Sequence, residues 1–200
     1  DWHPENHISF ISHANDSDRK IVNHPGEVTV GDTVQFEFPG NGFPSVTQAS
    51  LSKYWNLTNT EGAELDKRLK LPDGHHIVQK GYDTYVDSYS AFGDNNGKPL
   101  KVLEDLLHNE GIEVVLSAGL VYEICVRHTA EDASLLGFFS AIVTDASKAL
   151  TSHGIRIANE ILAMRQVAVM NKKTAEGVID HKEIPLVWIT KLVENIEKEL

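Results

Sequence analysis

The feature that most constrains the fold is an alternation of short apolar runs with amphipathic segments from His75 onward. The apolar runs have strand length, and the segments between them carry apolar residues at helical spacing. The runs cover 77–78, 114–118, 138–144 and 167–170, and the helical segments cover 100–108, 121–136 and 152–164. Because near-continuous apolar strands that alternate with helices bury both sheet faces, we predict an α/β fold of three layers, with a mostly parallel sheet and helices on both faces.

The chain before residue 75 lacks this periodicity, and five of the seven prolines lie there. One exception is the apolar alternation from Val28 to Phe38 around Gly31-Asp32, which predicts a small hairpin. From Pro185 onward, apolar residues share one face and predict an amphipathic helix that packs on the body or on a partner subunit. We expect a single domain over 1–200, comprising a loop-rich region at 1–74, a β/α core at 75–170 and a C-terminal extension at 171–200.

Composition excludes several classes of partner. The 18 basic and 29 acidic residues give a net charge of -11, which is the wrong sign for holding nucleic acid. No run approaches the roughly 18 apolar residues that a membrane span needs, so we expect no membrane partner. The single cysteine, Cys125, cannot form an internal disulfide, which fits a reducing compartment and predicts a cytoplasmic protein.

Groups suited to chemistry follow the predicted strands, and in open parallel sheets ligands bind beyond the carboxyl ends of the strands. Lys80 follows the first predicted strand, and Cys125 follows the second. Asp1, His3 and His7 would fill a third such place if a strand ran into Asp1 from upstream. Each group also has an ordinary explanation: a free cysteine packs as a small hydrophobe, and histidines cluster by chance in a chain that has ten.

Four blocks of the sequence occur in the order typical of one family. Residues 1–10 read DWHPENHISF, 62–65 read GAEL, 80–92 read KGYDTYVDSYSAF and 119–133 read GLVYEICVRHTAEDA. The blocks resemble the metal motif, the GAEL segment, the KGxDxxVDSYSAF segment and the nucleophile segment of the nicotinamidases, which are isochorismatase-like cysteine hydrolases. The resemblance ends at residue 133, and the last third agrees in pattern only.

The resemblance implies hydrolysis of nicotinamide to nicotinate and ammonia through a cysteine thioester. Cys125 would be the nucleophile, and the positive charge of Lys80 would favour its thiolate. The backbone N–H groups of Cys125 and Val121 would form the oxyanion hole, with a cis peptide bond at Leu120–Val121. Tyr89 would lie against the substrate ring, and Val121 would also contact the substrate.

The resemblance further implies a divalent metal held by Asp1, His3 and His7, which would bind the pyridine nitrogen of nicotinamide. Carboxylate and imidazole ligands with open positions suit zinc, with iron or manganese as alternatives. The chain departs from the family at one histidine ligand, because Trp55 stands at that position in an ungapped register. We therefore expect metal binding to be weak, partial or absent.

A second departure concerns the family's proton-shuttling Asp, which lies on a first strand upstream of the metal motif. Nothing precedes Asp1 here, and we expect that strand to lie upstream of this residue. Two alternatives compete with a nicotinamidase: another isochorismatase-like cysteine hydrolase with a ureido or carbamoyl substrate, and a non-catalytic member of the family. For an enzyme of this family we expect a small-molecule amide substrate and a homo-oligomer.

Overall fold

The computed structural model of the protein contains two compact units. It describes residues 1–12, 19–21, 26–37, 45–48, 52 and 57–199. Unit 1 comprises Asp1–Ser88 and Asp94–Lys98, and unit 2 comprises Tyr89–Gly93 and Pro99–Leu200. Throughout these described ranges, every helix belongs to unit 2, whereas unit 1 consists of short strands, turns and bends. No helix in these ranges is long and apolar enough to cross a membrane.

Unit 1 contains a small antiparallel sheet with strand order β1–β2–β3, formed by Arg19–Ile21, Val34–Glu37 and Ser45–Gln48. The hairpin predicted from Val28 to Phe38 is wrong, because the central strand β2 pairs with β1 and β3 instead. Asp32 closes the turn locally: its carboxylate accepts hydrogen bonds from the Thr29 N–H at 2.7 Å and hydroxyl at 3.0 Å. Phe38 lies outside the described residues.

The N-terminal segment of unit 1 is fixed by a small apolar core and two isolated β-bridges. Ile8 is fully buried and packs with residues of β2 and β3. The bridges join His3 to Leu57 and Phe10 to Ser52. The strand predicted at 77–78 does not form, since this two-residue run is too short to pair and the Ile77 side chain is 65% exposed.

Unit 2 has the predicted α/β organisation, with a parallel sheet of order β4–β5–β6. The strands are β4 Val114–Leu120, β5 Phe139–Lys148 and β6 Ala168–Met170. The helices are α1 Lys101–Asn109, α2 Arg127–Leu135, α3 Ser152–Met164, α4 Lys172–Ile179 and α5 Leu186–Glu199. A π-helical turn at Tyr122–Val126, called the π-turn below, leads directly into α2. The helix predicted at 121–136 is therefore two elements.

Alternate residues of β5 face two different cores, because successive side chains of a strand point to opposite sheet faces. Ile142 packs in a core with residues of the π-turn, α2 and α3. Ala141 and Val143 pack in another core with residues of α4 and α5. Full burial of Ile142 and Leu162, each 0% exposed, stabilises the fold by about 1.5–3 kcal/mol per side chain. The prediction of helices on both faces of a parallel sheet is confirmed.

The predicted C-terminal helix forms as α5 and packs on the body of unit 2. Over 186–197 its buried residues are Trp188, whose Nε1–H donates to Ser140 O at 2.9 Å, and Lys191. The Lys191 ammonium donates to the carbonyl groups of Ser134 and Phe138, each at 2.8 Å. The predicted apolar face comprises Ile189, Val193, Ile196 and Leu200; the first three are about half exposed, and Leu200 lies outside the described residues. That face does not pack on the body, and its packing on a partner subunit stays a prediction.

Candidate functional site

Unit 1 brings two imidazoles and a carboxylate together. His3, His7 and Asp87 are all buried, and their candidate ligand atoms lie within 4.8 Å of one another. The rings of His3 and His7 stack with centroids 3.8 Å apart, and His3 Nε2 lies 3.9 Å from Asp87 Oδ1. Among the described residues no other group of three potential ligands comes as close.

The position of His3 depends on the backbone of a single glycine. His3 Nδ1–H donates to Gly81 O at 2.6 Å, so the neutral ring keeps its proton on Nδ1 and has a lone pair on Nε2. A Cβ at Gly81 would lie 2.7 Å from His3 Cε1, and the φ of +71° also favours glycine. Burial lowers the pKa of His3 and outweighs the opposite effect of the Asp87 charge. His3 is therefore held in the neutral form that binds metals.

The other two members of the cluster are oriented by polar neighbours. Asp87 Oδ2 accepts a hydrogen bond from Gln48 Nε2 at 3.0 Å, and Oδ1 accepts one from the Ser88 N–H at 2.8 Å. His7 Nδ1 accepts a hydrogen bond from the Ser9 N–H at 3.2 Å and lies 2.7 Å from Ser9 Oγ. Because a backbone N–H can only donate, Nδ1 has the lone pair in this arrangement, and the neutral ring carries its proton on Nε2.

The structure places Asp1 and Lys80 together in unit 1. Their side chains form a salt bridge, and Lys80 Nζ also donates to Ser88 O at 2.7 Å. Asp1 is not one of the three clustered residues, so its assignment as a metal ligand stays a prediction, as does the effect of Lys80 on Cys125. Sequence reasoning missed Asp87, although this residue lies inside the VDSYSAF block. Trp55 lies outside the described residues.

The proposed nucleophile Cys125 lies in the π-turn of unit 2, between the end of β4 and the start of α2. The Leu120–Val121 peptide bond is cis, as the resemblance implied. The Val121 carbonyl accepts hydrogen bonds from the N–H groups of Ile124 and Val126, at 3.0 and 3.2 Å. These bonds make the backbone from Val121 to Val126 one compact turn.

The ring of Tyr89 lies beside His128, which the sequence did not single out. The two ring centroids are 5.3 Å apart with an interplanar angle of 54°. His128 Nδ1–H donates to Ile124 O at 2.9 Å, so its Nε2 can accept from the Arg127 guanidinium at 2.7 Å. Burial lowers the pKa of His128. The sequence did contain one signal for His128: it follows Cys125 by three residues, and residues three apart in a helix share a face.

Comparison with known proteins adds independent evidence. A family model described as Isochorismatase domain matches residues 30–174. The sequence is 36% identical over 154 residues to a nicotinamidase of Acinetobacter baylyi, and the match covers 77% of this chain. A solved nicotinamidase/pyrazinamidase of Acinetobacter baumanii matches with a TM-score of 0.72 and 28% identity, covering 88% of this chain and 76% of that one. The pyrazinamidase of Pyrococcus horikoshii in complex with zinc matches with a TM-score of 0.59 and 26% identity, covering 86% and 72%.

The extent of these matches determines what they establish. The chain spans 63% of the length of the Acinetobacter baylyi relative, which is less than two thirds of it. The match to the family model runs from just before β2 into α4, and it includes the parallel sheet and the π-turn. Since this match covers more than half of the chain, the protein belongs to the isochorismatase family.

Proposed function

We propose that the protein is a nicotinamidase, a cysteine-dependent amidohydrolase that converts nicotinamide and water to nicotinate and ammonia. The observation that carries the proposal is the position of Cys125, in a tight turn between a parallel strand and a helix, after the cis bond Leu120–Val121. The similarity to nicotinamidases of the same family supports this choice of substrate. We place the reaction in the cytoplasm, where nicotinate would return to NAD synthesis.

The proposed reaction has two covalent steps on Cys125. The Cys125 thiol ionises, and its thiolate attacks the amide carbonyl and forms a C–S bond; the tetrahedral intermediate then breaks its C–N bond, and ammonia leaves with the proton that the thiol gave up. Water next attacks the thioester, the C–S bond breaks, one proton of the water returns to the thiolate, and nicotinate leaves while the other proton passes to solvent. The start of a helix favours the anionic sulfur. The N–H groups of Cys125 and Val121 would stabilise the oxyanion in both steps.

We further propose that His3 and His7 bind a divalent metal with Asp87, and we retain Asp1 as the alternative carboxylate ligand. Two imidazoles and a carboxylate fit zinc, with iron and manganese as alternatives. The hydrogen bond to Gly81 O fixes the His3 ring with Nε2 as the ligand atom. His7 would bind through Nε2 only after its proton moves to Nδ1, which breaks the hydrogen bond from the Ser9 N–H. A metal bound there would supply a Lewis acid for a heterocyclic nitrogen. We retain Lys80 as the cation that favours the thiolate, and Tyr89 and Val121 as substrate contacts; these roles rest on the sequence blocks.

The proposed function is tested by ammonia release from nicotinamide, using the full-length protein with zinc, iron or manganese added. We expect turnover by the wild type and its loss in Cys125→Ala, because no other group can form the thioester. Mass spectrometry of quenched wild-type protein should detect a nicotinoyl adduct on Cys125.

The control for this experiment is the unfolding midpoint of Cys125→Ala, which should stay close to that of the wild type. Turnover that persists in the folded variant would contradict the proposed mechanism. Hydrolysis of a ureido or carbamoyl compound in place of nicotinamide would support the alternative family activity.

A further inference from the structure

The carboxylate of Glu123 ties the π-turn to the segment that begins α3. Glu123 Oε1 accepts hydrogen bonds from the N–H groups of Leu150 at 3.0 Å and Thr151 at 2.9 Å, and Oε2 lies 3.1 Å from the Leu150 nitrogen. Thr151 is the N-cap of α3. The N-terminus of a helix favours a negative charge, so the carboxylate is well matched to this place.

The fold makes room for Glu123 with a glycine in the first turn of α3. A Cβ at Gly154 would lie 2.5 Å from Glu123 Oε1 and 2.7 Å from Glu123 Cγ. Glycine within a helix costs roughly 0.5–1 kcal/mol relative to alanine. The Gly154 backbone is not in the left-handed region, so its conformation does not require glycine. The space needed by Glu123 explains the residue.

The preceding residue forms a parallel link to the same helix. The Tyr122 hydroxyl donates to Asn159 Oδ1 at 2.5 Å, and Tyr122 is buried. Two consecutive side chains of the π-turn are therefore anchored on α3 and the residues before it. Cys125 follows Glu123 by only two residues, so any rotation of the turn would move its thiol and its backbone N–H.

We propose that Glu123 is a positioning residue for Cys125. It acts through the backbone: by fixing the π-turn on the N-terminus of α3, it aims the N–H groups of Cys125 and Val121 at the developing oxyanion. Both Glu123 oxygens accept backbone N–H groups, so the residue has no role in proton transfer. This inference rests on the proposed function, in which Cys125 is the nucleophile.

The experiment compares Glu123→Gln, Glu123→Ala, Gly154→Ala and the double variant Glu123→Ala/Gly154→Ala in the full-length protein. A displacement of about 1 Å can lower a rate by about 100-fold, so we expect kcat for nicotinamide to fall at least about 10-fold in Glu123→Ala while KM changes little. Glu123→Gln keeps an acceptor oxygen and should retain most of the activity. Gly154→Ala alone should lower kcat, whereas the double variant should have the same kcat as Glu123→Ala. Glu160→Ala, an exposed change on α3, is the matched control and should leave kcat unchanged.

A second measurement does not depend on amidase activity. Cys125 is half-buried, so a loosened π-turn should expose its thiol, and the rate of Cys125 alkylation by iodoacetamide at a fixed pH should rise in Glu123→Ala and not in Glu160→Ala. An unchanged alkylation rate with an unchanged kcat, or additive effects of the two single changes, would overturn the proposal. If the wild type fails to hydrolyse nicotinamide but the alkylation rate still rises in Glu123→Ala, the proposed function is wrong and the positioning role stands.

Discussion

Two glycines border side chains on which the proposed chemistry depends. A Cβ at Gly81 would meet the ring of His3, and a Cβ at Gly154 would meet the carboxylate of Glu123, each at less than 3.0 Å. In a close-packed interior, one added methyl group must displace one of these neighbours. Both positions therefore couple a backbone feature to the orientation of a single polar side chain.

The composition of the metal cluster can be tested with a matched pair of acidic residues. We expect Asp87→Asn to weaken zinc binding by at least about 10-fold, because the change removes the carboxylate charge from the cluster. Asp1→Asn should have a much smaller effect, since this carboxylate is paired with Lys80. Isothermal titration calorimetry with zinc measures both, and His3→Ala is the positive control.

The reverse result would also be informative. If Asp1→Asn abolishes zinc binding and Asp87→Asn does not, Asp1 is the ligand, and Asp87 only orients His3. Substoichiometric zinc in the wild type would agree with the expectation from the ungapped register, in which Trp55 stands at the position of a histidine of the family motif.

Sequence analysis predicted some of the site residues inside the four family-like blocks and missed others. His3, His7 and the cis bond at Leu120–Val121 were predicted, and the structure contains the bond and brings the two histidines together. The contacts of Asp87 and Glu123 were missed because they join distant parts of the chain. Asp87 meets a residue 39 positions away, and Glu123 meets residues 27 and 28 positions away. Local spacing carries no information about such contacts.

At the scale of helices and strands, the local sequence pattern was sufficient to predict an element that buries much of its surface. The three strands of the parallel sheet coincide with the predicted apolar runs at 114–118, 138–144 and 167–170. The predicted hairpin at 28–38 and the predicted strand at 77–78 were wrong. In unit 1 a segment forms a strand only where another segment pairs with it, and the local pattern does not identify that partner. Helix α5 packs on unit 2 through a face that the sequence did not single out, since the indole and ammonium groups of Trp188 and Lys191 reach backbone carbonyls that the sequence does not reveal.

Helix α5 offers a direct test of which face packs. Trp188 is 4% exposed and bonds to Ser140 O, whereas Leu192 on the same helix is 50% exposed. We expect Trp188→Ala to lower the free energy of unfolding by about 3–5 kcal/mol through the lost packing. Leu192→Ala should change it by less than about 1 kcal/mol. Urea denaturation measures both, and a loss in Leu192→Ala as large as that in Trp188→Ala would mean that Leu192 is also buried in the folded protein.

At the scale of the whole molecule, each unit contains a histidine that resists protonation: His3, which is buried, and His128, which is half-buried. Burial lowers the pKa of His3 in unit 1 and of His128 in unit 2, each from an ordinary value of 6.5. For His128, the neighbouring Arg127 acts in the same direction, while the bond to Ile124 O and the charges of Glu131 and Asp132 act against it. The lowered pKa values favour the neutral form of both imidazoles, although the chain has a net charge of -11.

These two histidines make the stability of the protein depend on pH. As the pH falls through about 6.5, the unfolded chain takes up protons at both positions before the folded protein does, so the free energy of unfolding decreases. The decrease from these groups ends below their folded pKa values, and above the unfolded value their contribution is constant. We expect His128→Gln to reduce the slope between about pH 7.5 and about pH 5.5, measured by urea denaturation with a chelator present. Ser152→Ala, an exposed and non-titrating change on α3, should keep the wild-type slope. A slope in His128→Gln as steep as in the wild type would mean that His128 is protonated as readily in the folded protein as in the unfolded chain.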